Sequence, residues 1–207
     1  MDTKEDKMNG LISELVGYGI EKGLIEEADK IYVINRLLEL FRLDSYTPTD
    51  KASRQVSETL SDMTDYAAEH GLIPENTGAY RDLYDTKIMG ILTPAPSVVR
   101  TRFENLYGKN PKDATDFYYQ FSQNTNYIRK DRVVRDKKWK ADTQYGEIDI
   151  TINLSKPEKD PRDIARAASQ AKNDYPKCLL CAENEGYEGS LSHPARQIHR
   201  IIPLKLD

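Results

Sequence analysis

Cysteine, histidine and tryptophan are scarce in this chain: two, three and one residues among 207. The two cysteines are spaced C-x-x-C. That pattern points to metal binding or redox chemistry in a reduced compartment, not to a structural disulfide. No apolar run approaches the roughly 18 residues that a membrane helix requires. The opening "MDTKEDKMNG" is polar and unlike a secretory leader, so the expectation is a cytoplasmic protein with no membrane contact. An excess of positive charge is also missing. The net charge is −4 and the pI about 5.5, which disfavours nucleic acid as a partner. There is no glycine-rich phosphate loop, no G-x-S-x-G elbow and no H-E-x-x-H, so those routes to catalysis are closed. No internal repeat or low-complexity tract is found. Phenylalanine is sparse, four residues against thirteen tyrosines, and the tyrosines are expected mainly at the edges of a core.

What is present is a polar globular chain, 38% hydrophobic and 31% charged, long enough for one large domain or two small ones. Up to about residue 120 the apolar residues keep helical spacing. Ile12, Leu15, Val16 and Ile20 form one stripe, and Ile31, Ile34, Leu38 and Phe41 a second. Val56, Leu60, Met63 and Ala67 form a third. Tyr80, Leu83, Tyr84, Ile88 and Ile91 form a fourth, and Val99, Phe103 and Leu106 a fifth. "NPKDATDFYYQFSQNTN" reads as a further short helix. After residue 125 the period changes. In "GEIDITINLSKPEKDP", Ile148, Ile150, Ile152 and Leu154 alternate with Glu147, Asp149, Thr151 and Asn153, as in a strand with one buried face. The preceding "NYIRKDRVVRDKKWKADTQY" is placed to pair with it as a hairpin. "DPRDIARAASQAK" then reads as a helix, with Asp160 as N-cap and Pro161 at the first helical position. The expected fold class is α+β, with a helical unit over 1–125 followed by a stranded unit over 126–207.

Several residues carry candidate chemistry. Cys178 and Cys181 form a tight knuckle able to grip one Zn²⁺, which needs two further ligands. The alternative is a pair of free thiols, half-buried or buried. His193 and His199 complete the spacing C-x2-C-x11-H-x5-H, close to a zinc finger. A finger is disfavoured, because Pro194 interrupts the required helix, "IHRIIPLKL" reads as a strand and the chain is acidic. A redox role is disfavoured by the acidic loop "CAENEGYEG" that follows the knuckle. Lys156 and Lys159 lie between a strand and a helix start, where a phosphate would be favoured; a solvated charged loop is the plainer alternative. Seven cations, Arg129, Lys130, Arg132, Arg135, Lys137, Lys138 and Lys140, surround Trp139, as a nucleotide site or as an exposed hairpin. His70, at a helix end before a glycine, reads as structural.

The segments "YIRKDR", "YGEIDITINLSKPEKDP", "YPKCLLCAENEGYEG" and "HPARQIHRIIPLKL", in this order, resemble the class II galactose-1-phosphate uridylyltransferases. "GLIEEADKIYVINRLLEL" and "PAPSVVRTRFENLYGKNPKDATDFYYQFSQNTNYIR" extend the resemblance across nearly the whole chain. It implies transfer of UMP from UDP-glucose to galactose 1-phosphate through a uridylyl-histidine intermediate. It also implies a mostly antiparallel, histidine-triad-like sheet of which this chain carries the first strands. The family's catalytic histidine lies in an H-x-H-x-Q motif, which does not occur in this sequence. His193 and His199 match a different part of the family. The resemblance therefore implies an amino-terminal fragment with no catalytic residue of its own, inactive alone. It assigns Cys178 and Cys181 to a zinc site, Lys156 and Lys159 to the nucleotide, and Asn184 to the uridine. A homo-oligomer is compatible with it. The rival reading is a non-catalytic helical module whose zinc knuckle binds a protein partner.

Overall fold

The apolar stripe of α1 (Lys4–Glu21) sets the frame of the molecule: Met8, Leu11, Ile12, Leu15 and Val16 recur at three- and four-residue intervals and all are buried. The structure is a computed structural model, and it describes residues 4–49, 54–154, 161–169 and 186. After a single 3₁₀ turn (Glu27–Asp29) the chain continues through α2 (Lys30–Phe41), α3 (Val56–Glu69), α4 (Gly78–Leu92), α5 (Pro96–Tyr107) and α6 (Pro111–Asn124). A short α7 (Lys130–Val133) leads into β1 (Lys137–Thr143) and β2 (Gly146–Ile152), and α8 (Pro161–Ser169) follows. Helices first and an antiparallel pair after them make this an α+β chain, as the sequence pattern implies. No helix among the described residues is long and apolar enough to cross a membrane.

Helix ends follow from local chemistry. Thr77 caps α4 by accepting from the Tyr80 amide, and Asn110 caps α6 by accepting from the Lys112 amide. Pro96 and Pro111 open their helices, where a missing N–H costs nothing. α1 closes with paired bonds, Leu24 N–H to Gly19 C=O at 2.9 Å and Gly23 N–H to Ile20 C=O at 3.0 Å. Gly23 supplies the left-handed residue of that turn at φ +64°. α2 closes the same way with Arg42 at φ 54°, a position most side chains avoid. His70 caps α3. Its Nδ1 donates to the Tyr66 carbonyl at 2.8 Å and its ring stacks on Tyr66 at 3.8 Å, a structural role as expected.

α1 lies against α2 and α3, α2 and α3 both meet α4, and α5 pairs with α6. Phe41 sits at the centre, edge-on to Tyr66 at 6.0 Å and to Tyr84 at 5.6 Å. The α5–α6 pair joins this core through Val99 and Phe121, and Tyr18 Oη donates to the Asn124 carbonyl at 2.8 Å. Tyr84 Oη likewise donates to the Leu40 carbonyl at 2.8 Å, so both phenols stand at core edges. Burial raises both hydroxyl pKa values, Tyr18 to about 12.

Two expectations are corrected. Ile31 is 66% exposed, and the buried stripe of α2 is Val33, Ile34, Leu37 and Phe41. At about 100° per residue, Ile31 lies roughly 120° from Leu37, the centre of that face. The hairpin forms in the expected phase, with Ile150 opposite Trp139 and Ile148 opposite Ala141. Its apolar face is nevertheless open: Ile148 and Ile152 are each 46% exposed. Two strands form a single layer, and no described element covers it.

Truncating Phe41 to Ala should lower the free energy of unfolding by about 3–5 kcal/mol. Ile31→Ser should change it by no more than about 0.5 kcal/mol. Urea titration followed by far-ultraviolet circular dichroism measures both, and equal effects would contradict the assigned face of α2.

Candidate functional site

α4 carries an acidic residue at a core position. Asp85 precedes Ile88, Met89 and Leu92 at helical spacing and is buried with them. Asp82 lies one turn earlier on the same side. A buried carboxylate requires compensation, and here it comes from the segment after α6. The chain turns sharply at Asn126, which adopts φ 56°, and the Ile128 amide bonds back to the Ser122 carbonyl at 2.9 Å. That turn aims three side chains at α4. Asn126 Nδ2 reaches Asp85 at 3.3 and 3.4 Å. Arg129 Nη1 donates to Asp85 Oδ2 and reaches Asp82 Oδ1 at 3.3 Å. Arg132 forms a two-pronged pair with Asp82, at 2.9 and 2.5 Å. A groove of about 250 Å³ runs over this junction, with Ser57, Ser61 and Thr64 of α3 on one wall and Arg81 and Arg135 on the others. Arg81 is held by Asp65 at 2.7 Å.

The electrostatics describe a latch, not a reactive centre. Burial raises the Asp85 carboxyl pKa above the ordinary carboxylate value; Arg129 pulls it down, Asp82 pushes it up, and the bond from Asn126 pulls it down. Hydrogen bonding to Asp82 holds the Arg132 guanidinium firmly protonated. Among the described residues no group of histidine, cysteine and acidic side chains is arranged to hold a metal ion.

Four of the seven cations around Trp139 are held in ion pairs. Arg129 and Arg132 face α4, Arg135 binds Asp131, and Lys140 binds Glu147 across the hairpin. That favours the exposed hairpin over a nucleotide site. Sequence reasoning missed the latch itself. One signal was present, an aspartate in the apolar stripe of α4. Lys156, Lys159, Cys178, Cys181 and Asn184 lie outside the described residues, as do His193 and His199.

The helices from α2 onward, the latch and the hairpin fall together within one family match. They belong to an N-terminal nucleotidyltransferase domain. The model of the galactose-1-phosphate uridyl transferase N-terminal domain matches residues 23–203, and the chain is a member of that family. The galactose-1-phosphate uridylyltransferase of Clostridium acetobutylicum is 50% identical over 202 residues, covering 97% of this chain and 40% of that protein. Those of Bacillus subtilis and Butyrivibrio fibrisolvens are each 46% identical over 95% of this chain, and the match covers 39% and 51% of those proteins. The chain thus spans well under two thirds of the length of the curated relatives it matches. No solved structure matches it. These matches leave the stand-alone interaction module without support.

Arg129→Met should destabilise the protein by about 3–5 kcal/mol, because it strands the Asp85 carboxyl without its cation. An added Asp85→Leu should recover most of that loss. Calorimetric melting of the three variants tests the cycle, and a double variant as unstable as the single would refute the latch. The folded state also binds the Asp85 proton more tightly than the unfolded chain. Wild-type stability should therefore fall, relative to Asp85→Asn, as pH rises through and just above the ordinary carboxylate range.

Proposed function

We propose that this chain supplies the amino-terminal part of a UDP-glucose–hexose-1-phosphate uridylyltransferase, which moves UMP from UDP-glucose to galactose 1-phosphate in the cytoplasm. The observation that carries this reading is a family match spanning both the helical and the stranded parts, together with 50% identity to a relative of that name. The reaction suits a histidine nucleophile, which splits one phosphoryl displacement into two steps. H-x-H-x-Q is absent from this sequence, so the nucleophile is not assigned to His70, His193 or His199.

The chain's own residues then have positioning and binding roles. Residues 1–125 form the helical unit, and 126–207 begin the transferase domain; the change from helices to strands at β1 supports that division. Lys156 and Lys159 would neutralise the nucleotide phosphates, as ammonium groups do between a strand and a helix start. Asn184 would hydrogen-bond the uracil or ribose. Cys178 and Cys181 present two soft thiolates at the C-x2-C spacing that fits zinc. The metal would act as a structural clasp on the segment between α8 and His193, with its remaining ligands elsewhere. A homo-oligomer is compatible with this assignment, and neither nucleic acid nor a membrane has a part in it.

The test joins this chain to the remainder of the Clostridium acetobutylicum relative and measures uridylyl transfer from UDP-glucose to galactose 1-phosphate. The chimera should be active and the 207-residue chain alone inactive. Replacing both Lys156 and Lys159 by Ala should lower the chimera's kcat/KM by roughly tenfold or more, as expected for losing two charged hydrogen bonds. Cys178→Ser with Cys181→Ser should remove bound zinc, measured by atomic absorption. Transfer by the short chain alone would place a nucleophile within it and overturn the assignment.

A further inference from the structure

Burial changes character at Asn126. That residue and Thr125 before it are buried, whereas from Tyr127 to Leu154 every residue is exposed or half-buried. No residue of α7 is buried. Of the apolar side chains just past the turn, Tyr127, Val133 and Val134 are exposed and Ile128 is half-buried. β1 and β2 pack chiefly on each other. Residues 127–152 thus make an arm that sinks no side chain fully into the helical core.

The contacts that bridge arm and helices are charged. Arg129 reaches Asp82 and Asp85, and Arg132 grips Asp82 with two nitrogens. Of the other charged groups at the groove, Arg135 turns back to Asp131 within the arm, and Arg81 is held by Asp65 of α3. The seam is not sealed: the side chains of Arg129 and Arg132 keep 20% and 27% of their surface, and Asp82 keeps 40%. Water and salt therefore reach it. A segment held by apolar burial opens with its core, but one held by half-exposed ion pairs can open by itself. Asn126 supplies the pivot. It stands between α6 and α7 at φ 56°, in a region that few side chains adopt, and its amide stays bonded to Asp85 on the helical side.

We propose that residues 127–152 are a hinged arm, which opens about Asn126 while α1 to α6 stay folded, with the pairs of Arg129 and Arg132 to Asp82 and Asp85 as its catch. Opening exchanges those pairs for water, which enters the groove and hydrates both carboxylates as the arginines leave. What opposes opening is electrostatic, so ionic strength controls the arm. The arm carries both strands of the hairpin, and its position decides where they stand relative to the helices. The proposal stands apart from the enzymatic reading, because its test reads amide exchange and not turnover.

Native-state hydrogen exchange of the 207-residue chain, followed by nuclear magnetic resonance, reads the arm directly. The Ile128 amide is the reporter, because its 2.9 Å bond to the Ser122 carbonyl spans the pivot. Its protection should be lower than that of the slowest α1 amides by roughly tenfold or more, as for an opening below global unfolding. Raising NaCl from about 0.01 to about 1 M should lower the Ile128 protection by roughly two- to fivefold, through screening of the half-exposed pairs. Arg132→Met should lower it by roughly tenfold, the loss of a charged two-pronged contact. Lys138→Gln, which removes an exposed cation of the arm outside the catch, should leave it unchanged. The salt titration needs no substitution. Ile128 protection equal to that of the slowest α1 amides would mean that the arm leaves only on global unfolding, and would overturn the proposal. Weak protection indifferent to both salt and Arg132→Met would also overturn it, by showing a local fluctuation with the catch closed.

Discussion

A carboxylate placed in an apolar stripe governs the architecture. Asp85 occupies a position on α4 that faces the core, where an uncompensated charge is costly. Its compensation arrives from residues 41 and 44 positions later, Asn126 and Arg129, with Arg132 completing the set on Asp82. Whatever brings those side chains to α4 also fixes where the hairpin starts, because only a few residues separate Arg132 from β1. Such a network is better understood as a specifier of geometry than as a source of stability. An apolar pair of similar volume would pack as well and would not demand one orientation.

The same network explains why a basic stretch in the sequence is not a basic surface. The run from Arg129 to Lys140 contains seven cations, yet its arginines are committed to Asp82, Asp85 and Asp131. Elsewhere, Arg54 bridges Glu14 and Asp62, and Arg81 binds Asp65. At the junction the arginines are paired, while Lys130, Lys137 and Lys138 stand exposed.

Much of the fold was legible because its determinants are local. Helical stripes, the Asn-Pro start of α6 and the alternation in β2 are read within a few residues, and each element appears where expected. The phase of α2 was misjudged because spacing alone does not say which of two overlapping stripes faces a neighbour; Ile31 and Val33 are equally apolar, and only tertiary contact separates them. The latch was not legible because its partners lie 41 to 50 positions apart. A clue lay in an aspartate where the stripe of α4 calls for an apolar residue. Cys178 and Cys181 were found from their spacing, Lys156 and Lys159 from their place between a strand and a helix start, and Asn184 by resemblance; all five lie outside the described residues.

The order of these parts along the chain has a consequence for synthesis. Every buried hydrophobic residue of the helical core, from Met8 to Phe121, precedes Asn126. A nascent polypeptide leaving the ribosome can therefore close that core while the two arginines are still in the exit tunnel. Until they emerge, Asp85 is held in a nearly finished structure without a counter-charge, and burial, which raises its proton affinity, works against its charged form. Emergence of Arg129 and Arg132 then settles the ion pairs and sets the direction in which the next strands are fed out. Assembly is vectorial: a helical platform forms first, and the sheet is started from it at a fixed point.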